Sequence, residues 1–352
     1  MTATRKRLKA ARKLRVLVLM HPDLIPPAEV TIKGEELEAA PWKTEHDILR
    51  TLGELGHEPM TLGIRDELNP IRNAIFDFKP HIVFNLLEGF ADIAQFDQNV
   101  VAYLELLKIP YTGCNSRGLF LGRDKAVAKK LLSYHRIPVP AFAIVPKGRA
   151  VRRPRRLEFP LFVKSLTEDA SIGISQASVV DNDAKLEERV RFIHEKVGTH
   201  ALVERYIEGR ELYVGVIGNG HLKVLPTWEL LFKNMPEDDH RIATERLKWS
   251  KAYQKKHGID SGEAQDLPNG AGERIPLICK RVYRTLMLSG CARVDLRLTD
   301  GGQVYVIEAN PNPQLSSDED FAQSAKKAGL DYPALIQRIL NLGLRWETTR
   351  LA

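Results

Sequence analysis

The chain has 352 residues, 43% hydrophobic and 28% charged, with no apolar run long enough to span a membrane. Its formal charge is +7, but Arg5, Lys6, Arg7, Lys9, Arg12 and Lys13 supply nearly all of it, which argues against a distributed nucleic-acid footprint. Cys114, Cys279 and Cys291 are odd in number and far apart, so neither a disulfide framework nor a zinc site is expected.

Residues 1–13 read as a disordered basic tail. Leu14 to Met20 is a nearly continuous apolar run of the kind found in strands buried on both faces. It carries Arg15 and is followed by no small-residue cleavage site, so a cytoplasmic protein without a signal peptide is expected. Thr44 is the expected N-cap of a helix bearing Ile48, Leu49, Leu52 and Leu55. A strand near Glu58 to Leu62, a helix over Ile71 to Phe78 and a strand from His81 to Leu87 continue the alternation. This predicts an α/β fold with a doubly wound parallel sheet, whose ligands gather at the carboxyl ends of the strands, near Asn85 and Glu88. A helix from Asp97 to Leu107 and a strand from Ile109 to Thr112 close that unit.

Asp124 to Tyr134 is patterned as a helix, and Phe142 to Val145 and Phe159 to Lys164 as strands separated by an arginine-rich surface loop. Lys164 ends an apolar run, where an ammonium is costly unless an anion is brought to it. Thr167 to Gly173 is rich in small residues able to turn backbone N–H groups toward phosphate, a weak signal alone. A helix over Ala184 to Lys196 precedes a meander of strands, Ala201 to Ile207 and Glu211 to Ile217. Residues 232–272 are polar, lack a clear strand, and are long enough to suggest a flap. A helix from Ile275 to Leu288 leads to Ala292–Asn310, where Asp300-Gly301 between apolar runs predicts a β-hairpin. A two-residue loop sets Arg293 opposite Glu308 and Asp295 opposite Val306. Arg293, Asp295, Glu308 and Asn310 then share one face, with Asp295 and Glu308 diagonal. Two carboxylates and an amide oxygen suit Mg²⁺ or Mn²⁺, although a solvated charged face fits the hairpin alone equally well.

Taken together, Val83–Gly89, Ile109–Gly113, Asp124-Lys125, Phe159–Lys164, Glu204–Glu211, Ala292–Asp295 and Ile307–Asn310 resemble the ATP-grasp ligases of the D-alanine–D-alanine ligase branch, in order and spacing. The resemblance implies a Rossmann-like domain over 14–122 and two α+β subdomains, 123–205 and 206–352, that clamp ATP. It implies that Lys125, Lys164 and Ser171 bind ATP phosphates, that Glu204, Tyr206 and Ile207 read the adenine, and that Glu211 bonds the ribose. Lys248 would reach the γ-phosphate from the flap, Asp295, Glu308 and Asn310 would hold Mg²⁺ or Mn²⁺, and Arg293 would stabilise negative charge. On the residues alone, Glu204 and Glu211 are open to simple pairing with Arg205 and Arg210. The family usually forms homodimers, so one is expected here.

The substrate positions depart from the pattern. Ala170 stands where the family has a serine, Glu88 where it has a histidine and Trp249 where it has a tyrosine; Pro311–Asp318 replaces the loop that binds the second amino acid. Glu29 and Glu45 are candidates for the glutamate that binds a substrate ammonium. The expected activity is an ADP-forming carboxylate–amine ligation through an acylphosphate, joining small amino-acid-like substrates. A true D-alanine–D-alanine ligase and a nucleotide-binding module without turnover are the alternatives.

Overall fold

The computed structural model describes residues 13–168, 171–236 and 239–346. The basic tail up to residue 12 and Ala170 lie outside them. The apolar run near the start forms β1 (Arg15–Met20), followed by the short α1 (Glu35–Glu38), α2 (Lys43–Glu54), β2 (Glu58–Gly63), α3 (Asn69–Phe78) and β3 (Ile82–Asn85). The three strands pair in parallel in the order β2-β1-β3. Period-2 alternation explains why β1 is apolar throughout. Leu17 and Leu19 join Val83, Val100 and Leu104 on one side, while Val16, Val18 and Met20 join Ile48, Leu52, Leu335 and Ile336 on the other.

Three local expectations differ, one of them the meander: the strands Ala201–Arg205 and Arg210–Ile217 do not pair but enter different sheets, each held by partners from elsewhere in the chain. α2 begins at Lys43 after Trp42, which makes no side-chain cap bond, so Thr44 lies inside the helix. Ile109–Thr112 forms only a bridge from Tyr111 to Val83, because Pro110 has no N–H to donate to a ladder. The chain continues through α4 (Asp97–Leu106), α5 (Ser116–Arg123), which the sequence reading lacked, and α6 (Lys125–Tyr134). Asp124 caps α6 by accepting from the N–H groups of Ala126 and Val127.

A second, antiparallel sheet has the order β4-β7-β5-β6, built from β4 (Phe142–Val145), β5 (Leu161–Ser165), β6 (Val179–Val180) and β7 (Ala201–Arg205). α7 (Asp183–Phe192) covers its apolar face with Leu186 and Val190. The third sheet runs β11-β10-β8-β12-β13, with β9 (Lys223–Val224) beside β8. Its other strands are β8 (Arg210–Ile217), β10 (Trp228–Phe232), β11 (Ile259–Glu263), β12 (Cys291–Leu298) and β13 (Val304–Asn310). The expected flap therefore contains ordered elements: α8 (Glu245–Trp249), α9 (Lys251–His257) and β11, a polar strand held by its ladder to β10. α10 (Ala271–Thr285) packs Ile275, Cys279 and Val282 against Leu212, Val214, Val294 and Leu296 beneath this sheet. After it come α11 (Asp320–Lys327) and α12 (Tyr332–Gly343), and α12 returns to cover the first sheet.

Candidate active site

With the apolar residues of β8 and β12 turned toward α10, alternation turns Glu211 and Tyr213, and Arg293, Asp295 and Arg297, to the opposite face. β13 adds Glu308 and Asn310 to that face, but in a register other than the expected one. Arg293 pairs with Asn310 and Asp295 directly with Glu308; a bulge then intervenes, and Leu296 pairs with Val306. The loop separating the two strands is five residues, Thr299–Gln303, rather than the expected two. It is closed by Gly302 N–H to Thr299 O at 2.8 Å and Thr299 N–H to Gln303 O at 3.0 Å, with Gly302 at φ 80°. Asp295 and Glu308 are thus face-to-face neighbours, not diagonal ones.

A cleft of about 660 Å³, counting the space open to solvent at its mouth, lies over this face. Its lining includes Lys164, Ser171, Glu204, Tyr206, Ile207, Glu211, Lys248, Asp295 and Glu308. Lys164 Nζ stands 3.1 Å from Glu204 and 3.7 Å from Glu308. Burial alone would raise the Glu308 carboxyl, but Lys125, Lys164, Lys248 and Arg293 hold it down to about 2. Arg293 donates to both oxygens of Asp295 at 2.7 and 2.8 Å and stacks over Tyr213 at 4.8 Å. Asn310 Oδ1 accepts from the Asn312 N–H at 2.9 Å, and Asn312 Nδ2 donates to Leu87 O at 3.4 Å, just past the carboxyl end of β3. The third sheet's edge and the parallel sheet's ligand-binding end meet there.

The remaining expected residues fall around this centre. Lys125 is buried at the start of α6 and donates to Glu168 O at 2.8 Å, beneath the small-residue loop. Ser171 in that loop adopts φ 61°. Glu204 and Glu211 do not pair with their neighbouring arginines. Glu204 lies between Lys129 and Lys164; Glu211 pairs with Arg297 at 2.8 Å and accepts from Tyr213 Oη. The N–H of Tyr206 is engaged by Pro160 O at 3.0 Å, and its ring meets His240 edge-on. Lys129, Arg297 and Tyr213 were missed from the sequence. Lys129 follows Lys125 by one helical turn, a spacing that was legible, while Arg297 and Tyr213 needed the register of β8 against β12.

The small-residue loop and the flap are joined. Glu245 accepts from the N–H of Gly173 at 2.7 Å and donates its own N–H to Ile174 O at 2.9 Å. The Gln176 amide donates to His240 O and accepts from His240 N–H, both at 3.0 Å. On the other side, Asp47 of α2 accepts from the N–H and hydroxyl of Ser317 and from Lys43, tying α2 to the loop after β13. Of the two glutamate candidates Glu29 is exposed, whereas Glu45 is 4% exposed and its Oε2 is without a hydrogen-bond partner. Burial, reinforced by Glu88, raises the Glu45 carboxyl to about 7.

The donor set at Asp295, Glu308 and Asn310 fits a hard divalent ion. Two carboxylates face each other across a ladder and one is held ionised, which is what Mg²⁺ or Mn²⁺ requires. Among the described residues no group of three or more His, Cys, Asp or Glu is placed to hold a metal. An ion here would take its other ligands from water and phosphate oxygens. No described helix is long and apolar enough to cross a membrane.

This chain is an ATP-grasp ligase of the kind that forms peptide-like bonds, on the following likenesses. The family described as D-ala D-ala ligase C-terminus matches residues 131–341, more than half of the chain, which therefore belongs to that family. Uncharacterized protein y4sG of Sinorhizobium fredii is 34% identical over 264 residues, 75% of each chain. The D-alanine–D-alanine ligase of Bordetella avium is 30% identical over 301 residues, 84% of this chain and 86% of that one. In fold, the chain resembles the D-alanine–D-alanine ligase of Bacillus anthracis in its ATP complex. The TM-score is 0.72, with 22% identity over 94% of this chain and 98% of the other.

Proposed function

We propose that this chain is an ADP-forming carboxylate–amine ligase that activates a small, amino-acid-like carboxylate as its acylphosphate. The observation that supports it most is the meeting of Lys164, Glu308 and Asp295 in one cleft, with Arg293 bonded to Asp295. A carboxylate cannot expel oxide. Transfer of the γ-phosphoryl group to one carboxylate oxygen, with release of ADP, converts that oxygen into part of a phosphate leaving group. An amine then attacks the carbonyl and phosphate departs.

Phosphoryl transfer is chiefly positioning and charge neutralisation. Lys125 and Lys164 are placed to hold phosphate oxygens, with Lys248 on α8 approaching from the flap. Tyr206 and Ile207 line the cleft and would receive the adenine, and Glu211 would bond the ribose hydroxyls. Asp295, Glu308 and Asn310 would hold Mg²⁺ or Mn²⁺, which when bound neutralises phosphate charge. Arg293 would stabilise the oxyanion of the second step. The paired loop and flap exclude water that would otherwise hydrolyse the acylphosphate. In this reading residues 14–122, 123–205 and 206–352 are the three units that close on the nucleotide.

The substrates are proposed to be other than two D-alanines, because the loop from Pro311 to Asp318 and the position of Glu88 are rebuilt. D-alanine–D-alanine ligation is the second reading, favoured by the names of the relatives. The chain incubated with ATP, Mg²⁺ and pools of amino acids and other carboxylates, with hydroxylamine, should release ADP and trap a hydroxamate. ATP binding without turnover on any pool would overturn the ligase reading. Efficient D-alanyl-D-alanine formation would replace the preferred substrates by the second reading.

A further inference from the structure

Behind the cleft, and not lining it, the ammonium of Lys129 is 2% exposed and lies 2.9 Å from Oε2 of Glu204. Glu204 is itself 3% exposed, and its other oxygen is 3.1 Å from the ammonium of Lys164, which is 4% exposed. Lys164 in turn stands 3.7 Å from Glu308. Charges alternate along one line, Lys129, Glu204, Lys164, Glu308, whose first three members are buried and whose last three face the cleft, the Glu308 side chain being 25% exposed. α6 delivers Lys125 and Lys129 one turn apart, and the Asp124 cap fixes where that helix starts.

The purpose of such a line follows from its charge. Without Lys129, Glu204 has only the ammonium of Lys164 to answer its charge and draws it away from the cleft. With Lys129 the charge of Glu204 is answered from behind the cleft, and Glu204 no longer captures Lys164. Burial works against the ammonium of Lys129 and lowers its pKa, with Glu204 opposing. Removing one partner of a buried set of this kind is expensive, because it strands a charge, whereas removing an ion pair together is often neutral.

We propose that Lys129 is a positioning residue for the nucleotide's phosphates: it neutralises Glu204 from behind the cleft and so leaves Lys164 free to present its charge to ATP. The proposal rests on the ATP-binding reading of this cleft and assigns a role to a residue that does not touch the ligand.

The test is calorimetric titration of the full chain with Mg²⁺ and ATP, and separately with adenosine, which has no phosphate. The ratio of the two affinities is compared in wild type, Lys129→Met, and Lys129→Met combined with Glu204→Gln; losses at the adenine end cancel in this ratio. Lys129→Met should lower the ratio about tenfold, and the added Glu204→Gln should return it to within about threefold of wild type. An unchanged ratio in Lys129→Met, or no recovery in the double variant, overturns the proposal. If Lys129→Met does not fold, the double variant still decides, since it strands no charge; a ratio about tenfold below wild type overturns the proposal. A wild-type chain that binds adenosine no more weakly than ATP refutes the phosphate-site reading itself, and the proposal with it.

Discussion

Glu45 offers a perturbation whose effects on stability and on catalysis should oppose each other. Raising a carboxyl from 4.5 to about 7 disfavours its ionised form in the folded protein by about 3 kcal/mol. The sign follows from proton counting. Between pH 4.5 and about 7 the folded chain keeps the Glu45 proton while the unfolded chain releases it, so this group's contribution to stability falls as pH rises. Above about 7 the loss is complete. Glu45→Gln has no proton to lose. It should match wild type at pH 4.5 and exceed it by about 3 kcal/mol at pH 8, read as a melting temperature higher by roughly 4 °C in the ligand-free protein. Lost or gained hydrogen bonds would shift both pH values alike, so the difference between them isolates the charge. A melting difference independent of pH would refute the reasoning. If Glu45 receives a substrate ammonium, the same variant should raise the KM of the ammonium-bearing substrate about tenfold or more without altering that of ATP. Such a residue trades stability for function.

Asp295→Asn and Glu308→Gln should each lower metal-dependent turnover by about a hundredfold or more, read as ADP release at saturating Mg²⁺ with circular dichroism confirming the fold; activity near wild type would remove them from the metal site. Glu245→Ala deletes the exposed hydrogen bond to Gly173 N–H, a contribution of about 1 kcal/mol to loop closure. ADP formed per product should therefore rise as water enters, and a ratio fixed at one would show that this contact does not hold the loop shut.

How much of this was legible beforehand differs by kind of element. β1 was legible because a strand buried on both faces is apolar at every position, and Leu14–Met20 is so but for Arg15. The face shared by Arg293, Asp295, Glu308 and Asn310 was also legible, although the register behind it was not. The longer loop slipped the pairing by one residue and the bulge by another. One slip would have turned β13 inside out; two restored its parity. β11 escaped notice because Ile259–Glu263 is polar, and its identity as a strand comes from the hydrogen bonds of β10. Lys129 was invisible as a functional candidate for a different reason. Its spacing from Lys125 is local, but its charge acquires meaning only through the burial of Glu204 and Lys164, which strands β7 and β5 bring to it from elsewhere in the chain. Likewise, nothing local distinguished Glu45 from Glu29.

The most direct test of the account concerns one oxygen atom. With a carboxylate substrate identified by hydroxamate trapping and labelled with ¹⁸O in its carboxyl group, activation as an acylphosphate places one labelled oxygen between carbon and phosphorus. Attack of the amine at carbon then releases that oxygen with phosphorus. Mass analysis of the inorganic phosphate should show one ¹⁸O per product molecule. Product formation with unlabelled phosphate would contradict carboxylate activation by ATP and the reading of this cleft as a ligase site.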